Sequence, residues 1–74
     1  MARLPSVRSE RLVRALQRAG FRIDRQRGSH AILVRDDGRF ASVPMHAGRD
    51  VPRGLLARIL ADTGMTADEL RDLL

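Results

Sequence analysis

Cysteine is absent from these 74 residues, which excludes a disulfide framework and any thiolate metal site. Lysine is absent as well, so all fourteen basic side chains are arginine. Tryptophan and tyrosine are missing, leaving Phe21 and Phe40 as the only benzene rings. Both phenylalanines fall within apolar patterns, so no base-stacking platform of the RRM or OB-fold kind is expected. The first twenty residues hold no continuous apolar run, and no stretch has the length to cross a bilayer, so a cytoplasmic protein without a membrane partner is expected. Only two histidines occur, His30 and His46, and no third ligand stands at a diagnostic spacing. No metal and no cofactor are therefore expected.

What is present is positive charge on a short chain. The length predicts a single domain over residues 1–74, one that buries only about 60% of its unfolded surface and gains stability from a partner. The formal net charge of +5 favours a polyanion, because arginines release counterions when they neutralise phosphates. A merely solvated basic surface is the plain alternative.

Apolar spacing orders the elements. Leu12, Val13 and Leu16 recur at helical intervals with Arg11, Arg14 and Arg18 mostly opposite, which predicts a helix over 9–19 ended by Gly20. Either Ser6 or Ser9 suits its N-cap. Phe21 and Ile23 alternate with Arg22 and Asp24, predicting a strand over 21–26 with one buried face. After a turn at Arg27-Gly28, residues 29–35 predict a second strand. It carries His30, Ile32 and Val34 on one face and Ala31 and Leu33 on the other. Asp36-Asp37-Gly38 is a hairpin turn signal, and 39–43 predicts a third strand. Pro44 ends it, and Pro52 opens a helix whose stripe is Leu55, Leu56, Ile59 and Leu60, stopping near Gly64. Thr66-Ala67-Asp68-Glu69 is a capping box for a short last helix. The expected class is α+β, in the order α-β-β-β-α-α, with a three-stranded antiparallel sheet and helices over one face.

The densest chemistry lies in Arg25-Gln26-Arg27-Gly28-Ser29-His30. A histidine titrates near neutral pH, so it can take and return a proton without heavy tuning. Arginine forks match phosphate oxygens bidentately. Together they suit RNA cleavage. Arg49 and Arg53, close to a helix start, are further candidates to hold phosphate, as is the plain reading of a solvated pair. His46 is open between a second proton carrier and a side chain that ties down its loop. Asp36 and Asp37 are better explained by turn geometry than by catalysis.

Taken together, Gly20-Phe21, the Arg25–His30 turn, Val43-Pro44-Met45-His46 and Pro52-Arg53-Gly54 with Leu56 and Ile59-Leu60 resemble a HicA-type (YcfA-like) toxin. The resemblance runs from about Ser9 onward. It implies a double-stranded-RNA-binding-domain-like fold and a toxin of a bacterial toxin–antitoxin pair. It further implies an mRNA-cleaving endoribonuclease whose catalytic histidine corresponds to His30, neutralised by a HicB-type antitoxin. Gly28, Ser29 and His46 are the candidate supporting residues, and Arg25, Arg27, Arg49 and Arg53 the candidate phosphate holders. The same shape occurs in RNA binders that cut nothing, so a non-catalytic RNA-binding module is the alternative. A third reading is an interaction protein whose basic face docks an acidic partner.

Overall fold

In a computed structural model that describes residues 3–74, the first apolar stripe folds as α1, Ser9–Arg18. Its Leu12, Val13, Ala15 and Leu16 are buried, and Arg11, Arg14 and Arg18 are exposed. Three strands follow: β1 Arg22–Arg27, β2 His30–Val34 and β3 Phe40–Pro44, then α2 Arg53–Thr63 and α3 Ala67–Leu73. The sheet is an antiparallel meander in the order β1-β2-β3. The molecule is an α+β fold with its elements in the expected order.

Ala31 and Leu33 of β2 meet Ala41 and Val43 of β3 on the inner face, packed against Leu12 and Leu16 of α1 and Leu56 and Ile59 of α2. Leu70 of α3 closes this core. Removing one such leucine side chain from water stabilises the fold by roughly 1.5–3 kcal/mol. The helix ends behave as their sequence signals demand. Thr66 Oγ1 accepts from the Glu69 N–H at 3.1 Å while the Glu69 carboxylate accepts from the Thr66 N–H at 2.9 Å. At the end of α2 the Met65 N–H returns to the Leu60 carbonyl, with Gly64 at φ +73°. That is a Schellman closure, which favours glycine in the left-handed region.

Two local expectations fail, and each failure has a cause. Neither serine caps α1: Arg8 occupies the N-cap and no side chain caps it. Ser9 instead lies inside the first turn, buried, and donates to the Pro44 carbonyl at 2.6 Å. The hydroxyl thus fastens the start of α1 to the end of β3. The second failure concerns β1, which has no buried face. Phe21 is in the core, but every residue of β1 is exposed, Ile23 at 51%. The ladder slips between Ile23 and Arg25, where Asp24 forms an irregularity that interrupts alternation. The helical layer shelters the inner side of β2 and β3 and leaves β1 bare, which exposes Ile23 although it opposes the buried Leu33.

Arginines also hold the loops. Arg35 spans from the Ala19 carbonyl to the Asp37 carboxylate at 2.8 Å, and its guanidinium lies 4.5 Å from the centre of the Phe21 ring. The Arg35 guanidinium, helped by the Arg39 N–H, lowers the Asp37 carboxyl to about 2. Asp37 is therefore a turn residue, as its sequence context indicates.

Candidate active site

In an antiparallel pair, directly opposed residues share a face of the sheet. Arg27 opposes His30, Arg25 opposes Ile32 and Arg22 opposes Val34. Across the other ladder His30 opposes Pro44, Ile32 opposes Ser42 and Val34 opposes Phe40. The outer face of the sheet therefore carries His30 with Arg22, Arg25 and Arg27 along β1 and a half-buried apolar row of Ile32 and Val34. Strict alternation could not produce this set together with a buried Phe21. The slip at Asp24 rephases the strand, so that Phe21 turns inward while Arg25 and Arg27 turn toward the histidine side.

The turn that delivers His30 is two residues long, Gly28-Ser29. Gly28 adopts φ +56° and Ser29 stays on the ordinary side, the pattern of a type II′ turn with glycine at its first central position. The turn is braced from below, because the Ser29 carbonyl accepts from the Met45 N–H at 2.7 Å. His46 follows directly, so both histidines belong to one end of the sheet. The His46 side chain is exposed and makes no hydrogen bond among the described residues. It is the His46 backbone carbonyl that accepts from the Arg49 N–H at 3.1 Å.

His30 is exposed and opens on a cavity of about 260 Å³. Phe40 and Ser42 of β3 and Leu55, Arg58 and Asp62 of α2 line it. Next to it on the same face lies a wider, open trough of about 450 Å³ with Arg25, Arg27, Ile32, Val34 and Phe40 along it. Arg22 is engaged with Asp36 at 2.7 Å and Arg58 with Asp62 at 3.6 Å. Arg25 and Arg27 have no hydrogen-bond or ion-pair partner among the described residues, which leaves their guanidinium forks available to an anion.

The candidate residues thus divide. His30, Gly28, Ser29, Arg25 and Arg27 meet on one hairpin, with His46 tethered behind it. Arg49 and Arg53 are exposed on the following connection and at the start of α2, and neither lines the His30 cavity. That connection is pinned by an antiparallel backbone pairing of Arg8 with Asp50, in which the Val51 N–H donates to the Val7 carbonyl at 2.8 Å. Sequence reasoning missed Phe40, 55% exposed on the outer face instead of sheltered in an apolar pattern, and with it Ser42 and the Arg58–Asp62 pair. The signal for Phe40 was available in register: it sits opposite Val34, on the face of β2 that also carries His30. No helix among the described residues is long and apolar enough to cross a membrane.

Residues 9–65 match the family described as the HicA toxin of bacterial toxin–antitoxin systems. No curated protein matches the chain.

Proposed function

The chain belongs to the HicA toxin family, and from that premise we propose that it is an endoribonuclease that cleaves mRNA with His30 as its general base. The observation that carries this reading is an exposed histidine directly opposed to an unpaired arginine, Arg27, across a two-residue glycine turn. His30 takes the proton of an RNA 2′-hydroxyl. The freed oxygen bonds to the adjacent phosphorus, and the bond from phosphorus to the 5′-oxygen breaks. The products are a 2′,3′-cyclic phosphate and a 5′-hydroxyl. Arg25 and Arg27, with the backbone N–H groups of Gly28 and Ser29, stabilise charge developing on the phosphate oxygens. His46, exposed at the same end of the sheet, is the candidate donor of the proton to the leaving oxygen. Arg49 and Arg53 extend the phosphate track. No step requires a metal or a cofactor. A HicB-type antitoxin neutralises the toxin by covering the outer face of the sheet.

The test compares wild type with His30→Ala in a growth-arrest assay and in cleavage of purified RNA. His30 is exposed, so the substitution leaves the core intact. Loss of a general base costs about 10²- to 10⁴-fold in rate. Cleavage should persist in excess chelator, spare DNA, and spare RNA methylated at every 2′-oxygen. A folded His30→Ala protein that cuts at the wild-type rate removes His30 from the mechanism. Wild-type protein that binds RNA without cutting it establishes the non-catalytic module instead.

A further inference from the structure

Among the described residues Phe40 is the one exposed benzene ring, and on the outer face it borders both cavities. On one side of it lies the trough of Arg25 and Arg27, and on the other the pocket that His30 shares with Ser42, Arg58 and Asp62. We propose that Phe40 is the stacking platform for an unpaired nucleobase of the RNA strand whose scissile phosphate sits at His30. The inference rests on the ribonuclease reading above and adds a base subsite to it.

Three features select a nucleobase. The first is the conjunction of a ring with flanking guanidinium groups, which holds single-stranded nucleic acid by stacking on base faces while arginines track the backbone. The second is distance. Phe40 lies four residues along β3 from Pro44, the partner of His30, or about 14 Å at the usual strand rise. A base some two nucleotides from the cleaved bond reaches that far. The third is the polar wall. Ser42 offers a hydroxyl, and the Arg58–Asp62 pair offers a donor and an acceptor to a base edge. A carboxylate there accepts from an exocyclic amine, the group by which a protein separates cytosine and adenine from uracil. The exposure of Phe40 then has a purpose, since a leaving strand frees it and an arriving strand covers it.

The chain has no tryptophan or tyrosine, so Phe40→Trp creates a single emitting reporter at the proposed subsite. The probe is a single-stranded RNA of mixed sequence, methylated at every 2′-oxygen so that it binds and is not cut. Its addition to the full-length Phe40→Trp protein should quench emission to saturation, as stacking on a base requires. Phe40→Leu, which keeps apolar bulk and removes the π-face, should weaken binding of the same probe by about 10-fold, within the range measured for base–aromatic stacking. Its cleavage of unmodified RNA should show the loss in KM more than in kcat. Circular dichroism confirms that both variants fold. Unquenched emission while the probe binds by an independent measure overturns the proposal. So does Phe40→Leu with unchanged affinity and KM, even where wild type cleaves RNA and the ribonuclease reading stands. The reverse is separable, because quenching and the Phe40→Leu loss in a protein that cuts nothing retain the base subsite and reject catalysis. A Phe40→Leu protein that binds the probe normally but no longer retains its antitoxin assigns the ring to a protein contact and also overturns the proposal.

Discussion

Ser9 shows how little of a side chain's role its residue type reveals. Serine beside a helix start signals an N-cap, yet here the hydroxyl points into the core and donates to Pro44, 35 positions away. Pro44 is buried and ends the strand that opposes His30, so this bond helps hold the end of the sheet that carries the candidate site. Ser9→Ala leaves a buried carbonyl without its partner, at a cost of about 1–3 kcal/mol. The denaturation midpoint should fall accordingly at unchanged slope, and a midpoint equal to wild type would show that the bond contributes nothing. Phe40 makes the complementary point. A ring in an apolar stretch is expected inside, and its exposure becomes visible only when its cross-strand partners are known.

The slip in β1 is the decisive feature among the elements. With Arg27 held opposite His30 by the glycine turn, uninterrupted alternation would place Ile23 and Phe21 on the outer face with the arginines. The extra residue at Asp24 lets the short segment from Phe21 to Arg27 serve both the core, through Phe21, and the candidate site, through Arg25 and Arg27. Deleting Asp24 forces a choice between burying Phe21 and presenting Arg25 and Arg27. Loss of a buried phenylalanine typically costs about 3–5 kcal/mol, a large part of the roughly 5–15 kcal/mol that holds a domain together. The deletion should therefore unfold much of the protein at growth temperature, whereas Asp24→Ala, which preserves the residue count, should stay within about 0.5 kcal/mol of wild type. Thermal unfolding followed by circular dichroism distinguishes the two. Equal melting temperatures for deletion and wild type would mean that the slip is not needed.

One face of the whole molecule is layered with helices and the other is left open, with cationic and apolar groups side by side. A chain this short with a net charge of +5 would gain both stability and neutralisation from an acidic partner seated on that face. The antitoxin is expected to cover Ile32, Val34 and Phe40 and to place carboxylates on Arg25 and Arg27. At a hundredfold excess over its dissociation constant, such a partner stabilises the toxin by about 2.7 kcal/mol. The co-expressed neighbouring protein should co-purify, raise the melting temperature and shield His30 from diethyl pyrocarbonate. A tight complex in which His30 reacts as fast as in the free toxin would mean neutralisation from a distance.

Element order, helix stops, the Thr66–Glu69 capping box and the glycine turn before His30 were all legible in the chain. Each depends on a local signal, such as a periodicity, a left-handed glycine or a side chain reaching three residues along. The family anchors are of the same local kind, and on them alone His30 is the leading candidate. What the chain could not reveal depends on register and on which surface the helices cover. Alternation in β1 gave the wrong burial because Ile23, although it opposes the buried Leu33, lies on an edge strand that the helices do not cover; the extra residue at Asp24 then reverses the side chains beyond it. Ile23 and Phe40 look alike in sequence to Leu33 and Val43. They differ only because the helical layer reaches β2 and the inner side of β3 and leaves the edge strand and the outer face bare. The cavity beside His30 likewise joins β2, β3 and α2, and no local pattern encodes a meeting of three elements.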